Sequence, residues 1–136
     1  MISTKGRYAM RVMIDLAEHA EDGYITLKSI ALRQDISKKY LEIIMKILVC
    51  AKLVAAVSGK GGGYRLLKDP KEYRAIDILE ATEGSLAIVA CLREGADPCP
   101  REACCRTLPM WKEFDEMVND YFDSKTACNG GRLTPP

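Results

Sequence analysis

The sequence predicts a mainly helical α+β domain with one small β-hairpin, followed by a long helix. Three observations predict it. Apolar residues recur at helical spacing in successive segments separated by breakers. Two short β-prone runs, "LVAAVS" and "YRLLK", flank the glycine-rich "GKGGG". After Pro109 the run "MWKEFDEMVNDYFDSK" carries an aromatic stripe at helical spacing.

The elements follow in order. Ser3 or Thr4 can cap a first helix, with Ala9, Val12, Met13, Leu16, Ala17 and Ala20 on one face. "EDGY" ends it. Thr26 can cap a short second helix, "LKSIALRQ", and "DIS" makes a tight turn. Ser37 can cap a third, "KKYLEIIMKILVCA", where Leu41, Ile44, Met45 and Leu48 form an apolar face and Lys38, Lys39, Glu42 and Lys46 lie opposite. Cys50 ends that helix and reads as a small core residue. The hairpin comes next, then a loop, "DPKEY", and an amphipathic helix, "AIDILEATEG", closed by Gly84. This order is that of a winged helix-turn-helix. It divides the chain into a DNA-binding domain over 1–84, a cysteine-rich loop over 85–108, a dimerisation helix over 109–125 and a flexible tail over 126–136, which includes Cys128.

Composition narrows the function. The chain has 136 residues, 48% hydrophobic and 29% charged, enough to bury a core without disulfide staples. No secretory signal and no membrane-length apolar run is present, so the expected location is the cytoplasm. Net charge is only +1, but residues 1–68 hold 12 Lys/Arg against 6 Asp/Glu, and residues 69–136 hold 8 against 13. A basic half, net +6, beside an acidic half, net −5, fits a first half that meets a polyanion.

The third helix has the division a major-groove reader needs. Ser37, Lys38, Lys39 and Tyr40 put two cations and two hydroxyls at a helix N-terminus, which itself favours phosphate. Glu42 could accept from a cytosine amino group, or merely pair with Lys38 or Lys46. The wing "SGKGGGYR" offers Ser58, Lys60 and Tyr64. It lacks the Gly-Lys-Ser/Thr ending of a phosphate loop.

Four separated motifs, "MISTKGRYAMRVMIDLA", "SIALRQDISKKYLEIIMKIL", "LVAAVSGKGGGYRL" and "AIDILEATEG", resemble the Rrf-type family of bacterial winged-helix regulators. Regulators of iron–sulfur cluster assembly and of cysteine metabolism are among its members. The resemblance runs from Met1 to about Phe122 and implies a homodimer that represses or activates promoters at palindromic sites on double-stranded DNA. It implies DNA-backbone contacts from Lys5 and Arg7, and base contacts from the third helix and wing. One departure is Ser58, where members that read an A·T-rich minor groove often carry arginine.

Four of the six cysteines fall in "ACLREGADPCPREACCRTL". In a reducing compartment such a cluster points to metal binding or redox chemistry. Thiolates are soft ligands for iron–sulfur clusters and zinc, and the segment lacks the C-x2-C knuckle of most structural zinc sites. The resemblance implies that Cys91, Cys99 and Cys105 hold an iron–sulfur cluster, [2Fe-2S] or [4Fe-4S]. The best-known cluster-binding members place a histidine three residues after the third cysteine, where this chain has Leu108, and other members draw an acidic or histidine ligand from the partner subunit. Cys104 or a group from a second subunit is then the expected fourth ligand. His19, near the end of the first helix, reads as a helix-terminal cation rather than a ligand.

Trp111, Phe114, Val118 and Tyr121 fall at 3-4-3 spacing on the last helix, a seam fit to pair with its copy in a homodimer. No Ser/His/Asp set, HExxH motif or carboxylate pair argues for an enzyme. The expected function is a DNA-binding transcriptional regulator that senses redox or iron–sulfur status. The alternatives are a thiol- or zinc-based regulator, or an iron–sulfur carrier that does not bind DNA.

Overall fold

Three hydroxyls start the first three helices. Ser3, Thr26 and Ser37 each accept from a backbone N–H three residues on, at Gly6, Ser29 and Tyr40. They open α1 (Thr4–Glu18), α2 (Leu27–Gln34) and α3 (Lys38–Cys50) in a computed structural model that describes residues 2–127 and 133–134. Asp35 ends α2 in the left-handed conformation, and buried Ile36 fixes the turn to α3.

The hairpin pairs β1 (Val54–Val57) antiparallel with β2 (Gly63–Leu66), in register Val54↔Leu66 to Val57↔Gly63. Ile25 adds a third rung on the far edge of β2 through paired backbone hydrogen bonds with Tyr64, each 2.8 Å. That contact explains one wing glycine. A Cβ on Gly63 would stand 2.4 Å from the Ile25 carbonyl oxygen, so only glycine lets the two strands meet there.

α4 (Ala75–Glu83) packs on α1 and ends at Gly84, whose φ of 80° suits glycine. The core is shared by all these elements: Val12, Met13 and Leu16 from α1, Ile30 from α2, Leu41, Ile44, Met45 and Leu48 from α3, and Ile78 from α4. Tyr73, fully buried, joins it to the wing. Its hydroxyl donates to the Leu53 carbonyl at 2.7 Å and accepts from the Leu67 and Lys68 N–H groups at 2.8 and 3.2 Å. Burial pushes the phenol pKa up, which keeps that proton in place.

A 3₁₀ turn at Ala90–Leu92 and another at Glu102–Cys104 lie between α4 and α5 (Leu108–Asp123). α5 packs on α4 yet buries none of its residues fully. Its far end is fastened by backbone: Ala75 N–H donates to the Lys125 carbonyl and Ala127 N–H to the Tyr73 carbonyl, both 2.9 Å. Arg74 also pairs with Asp123.

Two expectations need correction. The chain from residue 126 is not all tail: β3 (Thr126–Ala127) is buried and pairs with β4 (Leu133–Thr134), because it completes the edge beside Tyr73 and Arg74. Cys128 lies outside the described residues. Cys50 is exposed, not core. The apolar face of α3 stops at Leu48, and a residue two positions on turns roughly 200° away, toward solvent.

Candidate functional site

The exposed side of α3 presents Lys38, Lys39, Glu42, Ile43 and Lys46 in one stripe. Its fixed position comes from beneath. Tyr40, half-buried, packs edge-on against Tyr8 of α1 with centroids 5.6 Å apart. Arg11 lies 5.0 Å over the Tyr8 ring and donates to the Gln34 carbonyl at the end of α2. The Tyr40 ring is therefore engaged in holding α3 on α1. Ser37 is exposed and spends its oxygen on the cap.

Arg7 is exposed near the start of α1, where it donates to the Thr4 hydroxyl, and Lys5 is half-buried. On the wing Ser58 and Lys60 are exposed at the tip, while Tyr64 is half-buried against Ile25. Among these, Lys38, Lys39, Glu42, Lys46, Arg7, Ser58 and Lys60 are open to a ligand.

Sequence reasoning missed the ion pair that sets α2 against α1. Asp15, with no exposed surface, accepts from Arg33 at 2.7 and 2.9 Å and from Gln34 at 2.9 Å. Burial alone would raise its pKa; the hydrogen bonds from Arg33 and Gln34 and the Arg33 charge outweigh burial and hold it below the ordinary carboxylate value. The signal was available: Asp15 sits inside the apolar stripe of the first helix, where an acid needs a partner. His19 Nδ1 lies 2.8 Å from the Asp15 carbonyl, at the helix end.

The second region is the loop between α4 and α5. Cys91, Cys99 and Cys105 line one cavity of about 240 Å³, with Asp97, Glu102, Leu108 and Lys112. Cys104 is not on its wall, and its thiol faces the Arg101 carbonyl at 3.4 Å. Hydrogen bonds from the Thr107 hydroxyl and backbone hold the Cys105 thiol below the usual cysteine value. Among the described residues no three Cys, His, Asp or Glu side chains are gathered closely enough to hold a metal ion. The donor set itself is thiol-rich and faces a common space, which suits a soft-metal group. The loop is anchored at its start, where Ile88 N–H donates to Asp115 of α5 at 3.1 Å.

The aromatic stripe on α5 is open. Phe114 and Tyr121 are 47% and 59% exposed, Met110 and Met117 are also exposed, and Trp111 and Val118 are half-buried. Among the described residues no helix is long and apolar enough to cross a membrane.

The fold and the open basic helix define a winged helix-turn-helix transcriptional regulator. Residues 2–127 match the Rrf2 family, described as an iron-dependent transcriptional regulator, and the chain belongs to that family. It is 36% identical over 122 residues to the HTH-type transcriptional regulator IscR of Aliivibrio salmonicida, covering 90% of this chain and 71% of that protein. Among solved structures it is similar to CymR, the global cysteine regulator of B. subtilis, with TM-score 0.75, 36% identity and coverage of 93% and 92% of the two chains. T. potens IscR gives TM-score 0.74 at 35% identity, covering 93% and 82%. These relatives are transcriptional regulators, as is this chain.

Proposed function

We propose that this regulator binds palindromic DNA as a homodimer and that a cysteine-ligated iron–sulfur cluster on the 85–108 loop sets its affinity. The observation that carries the sensing part is the shared cavity of Cys91, Cys99 and Cys105. The IscR name of several relatives supports the same reading. When bound, the cluster would supply bonds to loop thiolates that are sensitive to oxygen and redox state.

The protein's own groups do the rest. Lys38, Lys39 and Lys46, with Glu42, would enter the major groove, Lys60 and Ser58 would reach the flanking groove, and Lys5 and Arg7 would hold the backbone. Trp111, Phe114, Val118 and Tyr121 would pair with their copies in the cytoplasmic dimer. Loop order reaches α5 through Ile88 and Asp115. From α5 it reaches the wing through Lys125, Ala127 and Tyr73. A coupling of about 1–3 kcal/mol along that route changes DNA affinity 5–150-fold.

The test is anaerobic reconstitution with iron and sulfide, read by visible absorption, with DNA mobility shift before and after loading. A Cys91/Cys99/Cys105→Ser variant should gain no cluster absorption. If it does gain it, the ligand assignment is lost. If loading leaves DNA affinity unchanged, the sensing role is lost.

One observation favours a second reading. The lowered Cys105 thiol sits among exposed Cys91, Cys99 and Cys104, and the CymR neighbours, one described as an oxidized form, point to a bare-thiol sensor. That sensor would change DNA affinity on oxidation without any cluster absorption.

A further inference from the structure

We propose that Glu102 is the fourth protein ligand of the loop, completing a Cys91/Cys99/Glu102/Cys105 set within one chain. The proposal rests on the cluster reading above and goes beyond it by naming an oxygen ligand from the same subunit.

The backbone carries the argument. Glu102 N–H donates to the Cys99 carbonyl at 3.0 Å, and Cys105 N–H to the Glu102 carbonyl at 3.4 Å. Each is an i→i+3 bond, and the two successive turns bracket the short 3₁₀ segment Glu102–Cys104. Cys99 and Cys105 therefore flank Glu102 at one hydrogen-bonded turn on either side, and all three line the same cavity as Cys91. Cys104 does not line that cavity, and its thiol donates to the Arg101 carbonyl at 3.4 Å.

The competing donors drop out one by one. Leu108 lines the cavity but has no donor atom. His19 lies at the end of α1, engaged by the Asp15 carbonyl. Asp97 is the other carboxylate on the wall, but it also borders a second cavity with Arg93 and Glu94, and among the described residues no turn hydrogen bond links it to a cysteine. No hydrogen bond or ion pair engages the Glu102 carboxylate among the described residues, so ligation would break no existing contact. Lys112 on the same wall offsets part of the negative charge that three thiolates and a carboxylate would bring together.

A carboxylate is a harder donor than a thiolate and binds iron through oxygen. The full-length protein is reconstituted anaerobically with ferrous iron and sulfide, desalted, and assayed for retained iron and for its visible and resonance Raman spectra. Glu102→Gln should lower retention by ~10-fold or more, the scale of a lost metal-site partner. Glu102→Cys should restore retention and shift the spectrum toward an all-thiolate site. Asp97→Asn should leave both unchanged. Circular dichroism of the unloaded variants checks that each is folded. Unchanged retention and spectrum in folded Glu102→Gln overturn the assignment, as does a loss confined to Asp97→Asn; in both cases the three-cysteine site stands. A wild-type protein that takes up no cluster overturns this proposal and the cluster reading together.

Discussion

The Glu83 carboxylate holds Ser3 twice, accepting from its backbone N–H at 2.8 Å and from its hydroxyl at 2.7 Å, and a Cβ on Gly6 would stand 2.2 Å from the same oxygen. The last residue of α4 thereby clasps the N-cap of α1. The carboxylate also lies at a helix N-terminus, where negative charge is favoured. Gly6 is buried inside α1, a place where alanine is otherwise the better residue.

The clasp predicts a change of sign. Gly6→Ala should destabilise the wild type, because the new methyl displaces Glu83 and the cap loses its partner. In a Glu83→Ala background only Ile2 Cγ2, at 3.2 Å, has to give by a few tenths of an ångström, and Gly6→Ala should stabilise by up to about 0.5 kcal/mol through helix propensity. Urea unfolding of the four proteins reads the coupling. Additive effects would show that the clasp does not constrain Gly6.

Asp15 and Arg33 predict an acid limb. The folded-state pKa of Asp15 is lowered, so its contribution is fully present above the ordinary value of 3.8 and is lost as pH falls through the folded value. Stability measured by urea unfolding should fall below about pH 4, and Asp15→Asn should flatten that part of the curve. Arg33→Ala should cost about 2–3 kcal/mol at pH 7, less than a fully buried pair because the Arg33 side chain is 35% exposed. An unchanged acid limb in Asp15→Asn would assign it to other carboxylates.

The α5 stripe predicts a dimer. Trp111→Glu with Phe114→Glu should give a monomer by light scattering while circular dichroism stays that of a folded domain. Neither residue is fully buried in the single chain, so the fold should tolerate the change. A double variant that keeps a dimer mass would move the interface off this stripe.

The α3 stripe predicts a salt slope. Lys38→Ala and Lys39→Ala should each weaken promoter binding and reduce the slope of log affinity against log salt by about 0.9 per lost phosphate contact. Glu42→Ala should leave the slope alone and alter sequence preference. Unchanged slopes in both lysine variants would place the phosphate contacts elsewhere.

The helices were legible because their signals are local. Ser3, Thr26 and Ser37 announce their caps, and the period of Leu41, Ile44, Met45 and Leu48 gives the buried face of α3. The contacts between distant segments were not. Nothing near Tyr73 in "DPKEY" says that its hydroxyl would tie Leu53 to Leu67 and Lys68, and nothing near Thr126 says that it would lie beside Arg74. Glycine reasoning was right about a hairpin and incomplete about why. Gly63 answers to Ile25, a segment far earlier in the chain. In the cysteine loop, spacing and resemblance picked out Cys91, Cys99 and Cys105. Nothing in the spacing marks Glu102, whose place on the cavity wall comes from the turns between Cys99 and Cys105.

The strand Thr126–Ala127 bears on modularity. A fragment stopping at residue 84 would leave the Tyr73 carbonyl and the Ala75 N–H without their partners and a gap where Ala127, itself fully buried, packs in the core. The DNA-reading part is thus not a cassette that can be cut at α4 and grafted onto another sensor. A working chimera must exchange 73–75 and 125–127 together, and one that swaps only the cysteine loop, between Gly84 and Leu108, leaves this closure intact.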